Sequence, residues 1–308
     1  SPMGNQFRTA ILLAALTVLI MVIGQLLGGR QGMVIALIFA AGMNFFSYWY
    51  SDKIVLRMYR AEEIDARSSS NLYEIVKQLS QRAGLPMPRV FRIPQEAPNA
   101  FATGRNPEHA VVAVTDGLLK MMDKDELRGV LAHEMAHIKD RDILIGSIAA
   151  TMAGAIMLLA SMARWSAIFG GARDDEEGGL GTIGLIVMSI IAPLAAMLIQ
   201  MAISRSREYL ADRVGGGLSE NPEGLARALE KLGAYSRRIP MAANPSTAHM
   251  FIVNPLSGGG IAHLFSTHPP VEERIARLRG KPAPKPDASA SHDPGRAQGR
   301  AFWDRISK

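Results

Sequence analysis

His133, Glu134 and His137 are the residues of this sequence whose types and spacing most directly suggest chemistry. They lie in the string Leu131-Ala132-His133-Glu134-Met135-Ala136-His137, which the flanking apolar spacing predicts to be helical. Histidines four positions apart share one face of a helix, about one turn from each other, so both imidazoles converge on a single ion. The carboxylate beside the first histidine can then reach a water held by that ion and accept its proton, while the ion lowers the water's pKa toward about 7. The pattern alone also occurs by chance in unrelated helices, so its meaning depends on what the rest of the chain brings to it.

Four long uncharged runs frame this motif: residues 9–29, 31–51, 143–163 and 178–204. Each is long enough to cross a bilayer core, which takes roughly 20 helical residues. Tyr48, Trp49 and Tyr50 close the second run, where an aromatic belt meets the headgroups. Pro193 predicts a kink in the fourth. Lys53, Arg57, Arg60, Lys139, Arg141, Arg205, Arg207 and Arg213 all fall on one side of the resulting bundle. The opposite connections are the short turn at Arg30 and residues 164–177, where Asp174, Asp175, Glu176 and Glu177 offset the arginines. The positive-inside rule then puts both termini and the regions 52–142 and 205–279 in the cytoplasm. Ser1-Pro2 is read as a tag-cleavage scar before a native start at Met3, with no cleavable signal peptide.

These spans also supply a third ligand. His137 lies six residues before the third run and Glu208 four residues after the fourth. At about 1.5 Å per residue the two offsets differ by only about 3 Å, so an antiparallel hairpin of spans three and four returns Glu208 to the depth of the histidines. Two histidines, a glutamate and one open position make a catalytic zinc set. Asp212, one helical turn beyond Glu208, could receive a ring N–H from a ligating histidine and fix its tautomer. Without the histidines, Glu208 and Asp212 would read as partners of Arg205 or Arg213 in a solvated juxtamembrane helix. Thr267-His268-Pro269-Pro270 holds His268 in a rigid turn, either as a donor near a developing oxyanion or as packing at the start of the following helix. His109, His249, His263 and His292 read as solvated or structural.

The water-facing parts read as a small α+β domain. Residues 68–84 have helical spacing of Leu72, Ile75, Val76 and Leu79, and residues 86–93 and 110–115 are β-rich. Asp123 with Glu126 makes a capping-box start for the motif helix. Further helices are expected over residues 220–237 and 270–279, and the Pro/Ala-rich composition of 280–308 predicts a disordered tail. The strand Val111, Val112, Ala113, Val114 and Thr115 is a candidate edge on which an extended substrate could pair through its backbone.

Composition agrees with this division. The 308 residues are 48% hydrophobic and 20% charged, enough for a membrane bundle with one polar domain. There is no cysteine, so a metal site must use histidine and carboxylate ligands. The net charge of +6 sits beside apolar runs, which points to cytoplasmic-face anchoring at a lipid bilayer and away from nucleic acid. The fold class expected is mostly α: a four-span membrane helical bundle carrying a cytoplasmic zincin-like α+β metalloprotease domain with a small β-sheet.

The sequence closely resembles the HtpX family of bacterial heat-shock membrane metalloproteases, relatives of the CAAX prenyl proteases. The resemblance extends over nearly the whole chain up to Gly280. It is carried by Asn99-Ala100-Phe101-Ala102-Thr103-Gly104, the Gly104-Arg105-Asn106-Pro107 step into the Val111 strand, and the His133 to His137 motif. Ser206-Arg207-Glu208-Tyr209-Leu210-Ala211-Asp212 and Ser266-Thr267-His268-Pro269-Pro270 complete it. The resemblance implies one Zn2+ held by His133, His137 and Glu208, with Glu134 as base. It implies endoproteolysis of misfolded or surplus membrane proteins at the cytoplasmic face of the bacterial inner membrane, under heat or envelope stress. A dedicated processing protease with one native substrate remains open on the sequence alone. A noncatalytic scaffold with a structural zinc fits less well, because such a site has no use for Glu134.

Overall fold

The computed structural model describes residues 2–67, 71–152, 205–238, 250–253 and 268–281. The expected third and fourth spans lie outside the described residues except for the start of the third. So do the acidic loop 164–177 and the tail beyond residue 281.

The chain opens with α1 (Pro2–Met58), which is two helices meeting at Gly28 and Gly29. Gly29 has φ 58° and ψ −147°, a conformation open essentially only to glycine, and it reverses the chain. The two arms, Phe7–Gln25 and Gly28–Met58, are each long and apolar enough to cross a membrane. Asn44 Nδ2 donates to Thr17 Oγ1 at 2.9 Å, tying the arms together as an antiparallel pair. Ile11, Val18, Val22, Ile35, Ile38, Phe39, Phe45 and Phe46 are exposed on their outer surface. Exposed apolar side chains of this number on long apolar helices are what a lipid-facing surface presents.

A four-stranded mixed sheet follows, in the order β1-β2-β4-β3. Its strands are β1 (Glu62–Ile64), β2 (Arg89–Ile93), β3 (Ala100–Thr103) and β4 (Val111–Thr115). β1 and β2 are antiparallel, β2 and β4 parallel, and β3 and β4 antiparallel. One face presents Val90, Ala102, Val112 and Val114 to the main core, and the other presents Phe91, Ile93, Phe101, Val111 and Ala113 to Val55, Leu56, Tyr59 and Phe251.

This topology corrects the reading of Val111 to Thr115 as a substrate-pairing edge. All five residues are buried, and the strand is hydrogen-bonded to β2 on one side and to β3 on the other. An unbroken apolar run is what a strand covered on both faces requires, and here that strand is central. The edge beside the motif helix is β3, which among the described residues is paired only with β4.

The helices wrap this sheet. They are α2 (Asn71–Ala83), α3 (Asp116–Met121), α4 (Lys124–Lys139), α5 (Ile143–Met152), α6 (Arg205–Ser219), α7 (Pro222–Arg238) and α8 (Val271–Leu278). Leu72, Ile75, Val76 and Leu79 of α2 are buried at the spacing that predicted the helix. α4 runs through the centre of the domain with Leu127, Val130, Leu131, Met135 and Ile138 in the main core. Its start is fixed by a capping box: Asp123 Oδ1 accepts from the Glu126 backbone N–H and Glu126 Oε2 accepts from the Asp123 N–H, both at 2.9 Å. Lys231 of α7 donates to the same buried Glu126 at 2.6 Å, which locks α4 to its neighbour.

Candidate metal centre

α4 holds His133 and Glu134 almost without solvent exposure, and His137 faces the cleft. α6 crosses α4 directly over the first histidine. At Gly215 a Cβ would lie 2.8 Å from the His133 Cα, so only a residue without a side chain allows this approach. The close crossing brings Glu208, on the same helix, to the two imidazoles. His133 Nε2 and His137 Nε2 are 3.1 Å apart. His137 Nε2 lies 3.6 Å from Glu208 Oε1, and His133 Nε2 lies 3.7 Å from Glu208 Oε2.

One ligand atom from each of the three residues thus falls within 4.8 Å of the other two. A tetrahedral ion with bonds of roughly 2.0–2.1 Å separates its ligand atoms by roughly 3.3 Å, so the donor set fits such an ion with one position left open. No tetrahedral site is assembled by Asp212, which lies behind the histidine. His133 Nδ1 is 3.0 Å from Asp212 Oδ1, on the ring edge opposite the metal-facing nitrogen, although the N–H is poorly aligned with the oxygen.

A second buttress is absent from the sequence reading. Both carboxylate oxygens of Asp142 lie 3.1 Å from His137 Nδ1. The chain reaches it through a left-handed residue, Arg141 (φ 57°), just past the end of α4. Each histidine therefore turns Nε2 toward the shared centre and Nδ1 toward its own aspartate, which is how outer carboxylates fix ring orientation in metal sites. Arg274 is the other residue the sequence did not single out. It is wholly buried on α8 and grips Asp212 with two hydrogen bonds, at 2.7 and 2.8 Å. Sequence offered a weak signal for Asp142, the second of two acids within three residues of the end of the motif helix, and none for Arg274.

His268 also reaches the site. Its Nδ1 is 3.4 Å from Glu208 Oε2, while its buried Nε2 has no hydrogen-bond partner. Ala102 of β3, Ile143, Met250, Phe251 and Ile252 complete the cleft around these groups.

The electrostatics of the metal-free cleft are those of a cation site. Burial lifts the Glu134 carboxyl to about 8, with Glu208 adding to the effect against the opposing influence of His137. Burial disfavours charge on His137, but Asp142, Glu208 and Glu134 together outweigh it and raise the imidazole to about 10. Burial lowers His133. Glu208 is held well below the usual carboxylate range, because His268, His137 and Arg274 outweigh its burial. Asp212 is held at about 2, its burial outweighed by Arg274 and His133.

Two histidines one turn apart, a glutamate returned from a distant helix and a carboxyl between them, on helices over a small sheet, define the class of HExxH metallopeptidases. Residues 66–281 match Peptidase family M48. A protease HtpX homolog of Desulforapulum autotrophicum is 67% identical over 308 residues, covering 99% of this chain and 100% of that one. Another, from Desulfatibacillum aliphaticivorans, is 62% identical over 311 residues with coverages of 99% and 100%. A third, from Syntrophobacter fumaroxidans, is 63% identical over 280 residues, 90% of this chain and 99% of that one. The crystal structure of Ste24p from S. mikatae shares the fold, with TM-score 0.50 and 17% identity over 90% of this chain. This chain spans 65% of the length of that neighbour. The chain belongs to peptidase family M48, among the HtpX proteases, and is a membrane-bound metalloprotease.

Proposed function

We propose that the protein is a zinc endopeptidase that cleaves misfolded or surplus membrane proteins at the cytoplasmic face of the bacterial inner membrane. The observation that carries this reading is the convergence of His133, His137 and Glu208 around one tetrahedral position, with Glu134 buried beside it. His133, His137 and Glu208 would hold the ion, with Asp212 and Asp142 beside the Nδ1 atoms of the two rings to fix them. Zinc bound there would supply Lewis acidity toward the scissile carbonyl and the attacking water.

Glu134 takes the proton of that water and later delivers it to the leaving amine. The backbone N–H of Ala102 in the edge strand β3 favours the ionised Glu134 carboxyl against its burial. Among the described residues β3 is paired only with β4, so its outer edge, apart from the Ala102 N–H, is where the backbone of an extended substrate would pair, with little sequence preference. His268 Nε2, buried without a partner at the cleft, donates to the oxyanion as it develops. Weak side-chain selectivity beside two membrane helices suits quality control better than a single fixed cleavage.

The bilayer arrangement follows from charge: four spans, with the cationic loops around Lys53, Lys139 and Arg205 inside. A cysteine at Gly171 should react with an impermeant thiol reagent in intact cells and one at Ser70 should not. The reverse labelling would overturn the orientation. Substrate class is tested in proteoliposomes holding a multi-pass membrane protein and a destabilised variant of it. The reading requires cleavage of the destabilised form at several sites. Cleavage at one bond, regardless of folding, would identify a dedicated processing protease instead.

A further inference from the structure

Arg274 is the largest fully buried side chain among the described residues, with 0% exposure. A guanidinium is rarely sealed from water unless its donors find partners, and here all three of its nitrogens do, on α6 and on the cleft wall. Nε and Nη2 donate to the two oxygens of Asp212 on α6, at 2.8 and 2.7 Å. Nη1 donates to the carbonyl oxygen of Ile252, in the wall of the cleft. The same Nη1 lies 3.8 Å from Glu208 Oε2.

The arginine therefore meets both acids of α6, one turn apart, at the same oxygens that approach His133: Asp212 Oδ1 and Glu208 Oε2. Asp212 passes this constraint to His133 Nδ1, 3.0 Å away. Glu208, whose two oxygens approach the two histidine Nε2 atoms, has Arg274 Nη1 beside Oε2, the oxygen nearer His133. Only a planar fork can serve Asp212 through two parallel bonds and still reach a main-chain carbonyl, whereas an ammonium is a single point of charge.

We propose that Arg274 is a positioning residue of the metal centre, acting through Asp212 on His133 and directly on Glu208, and that it joins the cleft wall at Ile252 to that centre. The inference rests on the reading of His133, His137 and Glu208 as metal ligands. It gives α8, which contributes no ligand, a part in metal binding. The helix is placed for this by the rigid turn at Pro269 and Pro270, after which Arg274 is the first residue pointing fully inward.

The test measures zinc affinity of the purified full chain by competition with a chromophoric chelator, together with the visible spectrum of the cobalt-substituted protein. Arg274→Lys should bind zinc about 10- to 100-fold more weakly, as for other outer partners of metal ligands, and should shift the cobalt bands. Combined with Asp212→Asn it should lose little more than the worse single variant, because the two act as one unit. If Arg274→Lys fails to fold, Arg274→Met with Asp212→Leu removes both buried charges together. That pair should fold and still bind zinc about 10- to 100-fold more weakly. Wild-type affinity in the folded variants, or losses in Arg274→Lys and Asp212→Asn that simply multiply, would overturn the role of Arg274 alone. Failure of the wild-type protein to bind zinc would overturn the ligand reading as well.

Discussion

Asp142 grips His137 from outside the helix that carries it: both carboxylate oxygens stand 3.1 Å from Nδ1, while Nε2 faces Glu208 at 3.6 Å. His133 is placed similarly, with Nδ1 3.0 Å from one oxygen of Asp212 and Nε2 3.7 Å from Glu208, so the centre has two histidines backed by aspartates around one shared glutamate.

This layout ranks the carboxylates. Glu208→Gln exchanges an anionic ligand for a neutral one and should cause the largest loss of zinc affinity. Asp142→Asn should lower it about 10- to 100-fold, the range of partners that orient a ligand without being one. Chelator competition on the purified variants gives the order. An Asp142→Asn protein that binds more weakly than Glu208→Gln would mean that Asp142 is the ligand.

Zinc binding should release protons. At pH 7 the metal-free protein keeps Glu134 neutral, below its value of about 8, and His137 charged, below its value of about 10. His137 must lose its Nε2 proton to ligate, and the nearby cation favours ionised Glu134. Affinity should therefore rise with pH, by about one to two log units per pH unit near neutrality, for one to two protons released. Titration calorimetry in buffers of different ionisation enthalpy counts them. A heat independent of buffer would contradict the charge states assigned to the metal-free cleft.

Gly215 carries the crossing of α6 over α4. An added Cβ would meet His133 backbone atoms at 2.8 Å, whereas at Gly217, on the same helix, it would meet nothing within 4 Å. Gly217→Ala should stabilise by up to about 1 kcal/mol through helix propensity. Gly215→Ala should destabilise by roughly 1–3 kcal/mol despite the same propensity gain, because backbone must move. It should also weaken zinc binding by displacing Glu208. Equal unfolding midpoints for the two variants would show that the helices have room to part.

The local features were readable in the sequence because their causes are local. Apolar spacing from Leu72 to Leu79 placed α2, and the Asp123 to Glu126 reciprocity placed the start of α4. Glu208 was a candidate because its offset from one long uncharged run matches that of His137 from another, and it does lie with the two histidines, although those runs fall almost wholly outside the described residues. The sheet was harder. β1 and β3 are three and four residues long, too short for alternation to register, so the order that makes β3 the edge and Val111 to Thr115 the centre stayed hidden. Asp142 depends on one left-handed residue, Arg141, and Arg274 on a pairing with Asp212 across 62 positions. Neither has a periodic signature.

The central claim is that His133, His137 and Glu208 hold zinc while Glu134 moves the proton. Its most direct test is zinc content and casein cleavage measured on the same preparations of wild-type protein and Glu134→Gln. Both should hold one zinc per chain, with cleavage by the variant reduced about 10²- to 10⁴-fold, the loss expected when a general base is removed. Undiminished cleavage by a zinc-loaded Glu134→Gln protein would contradict it.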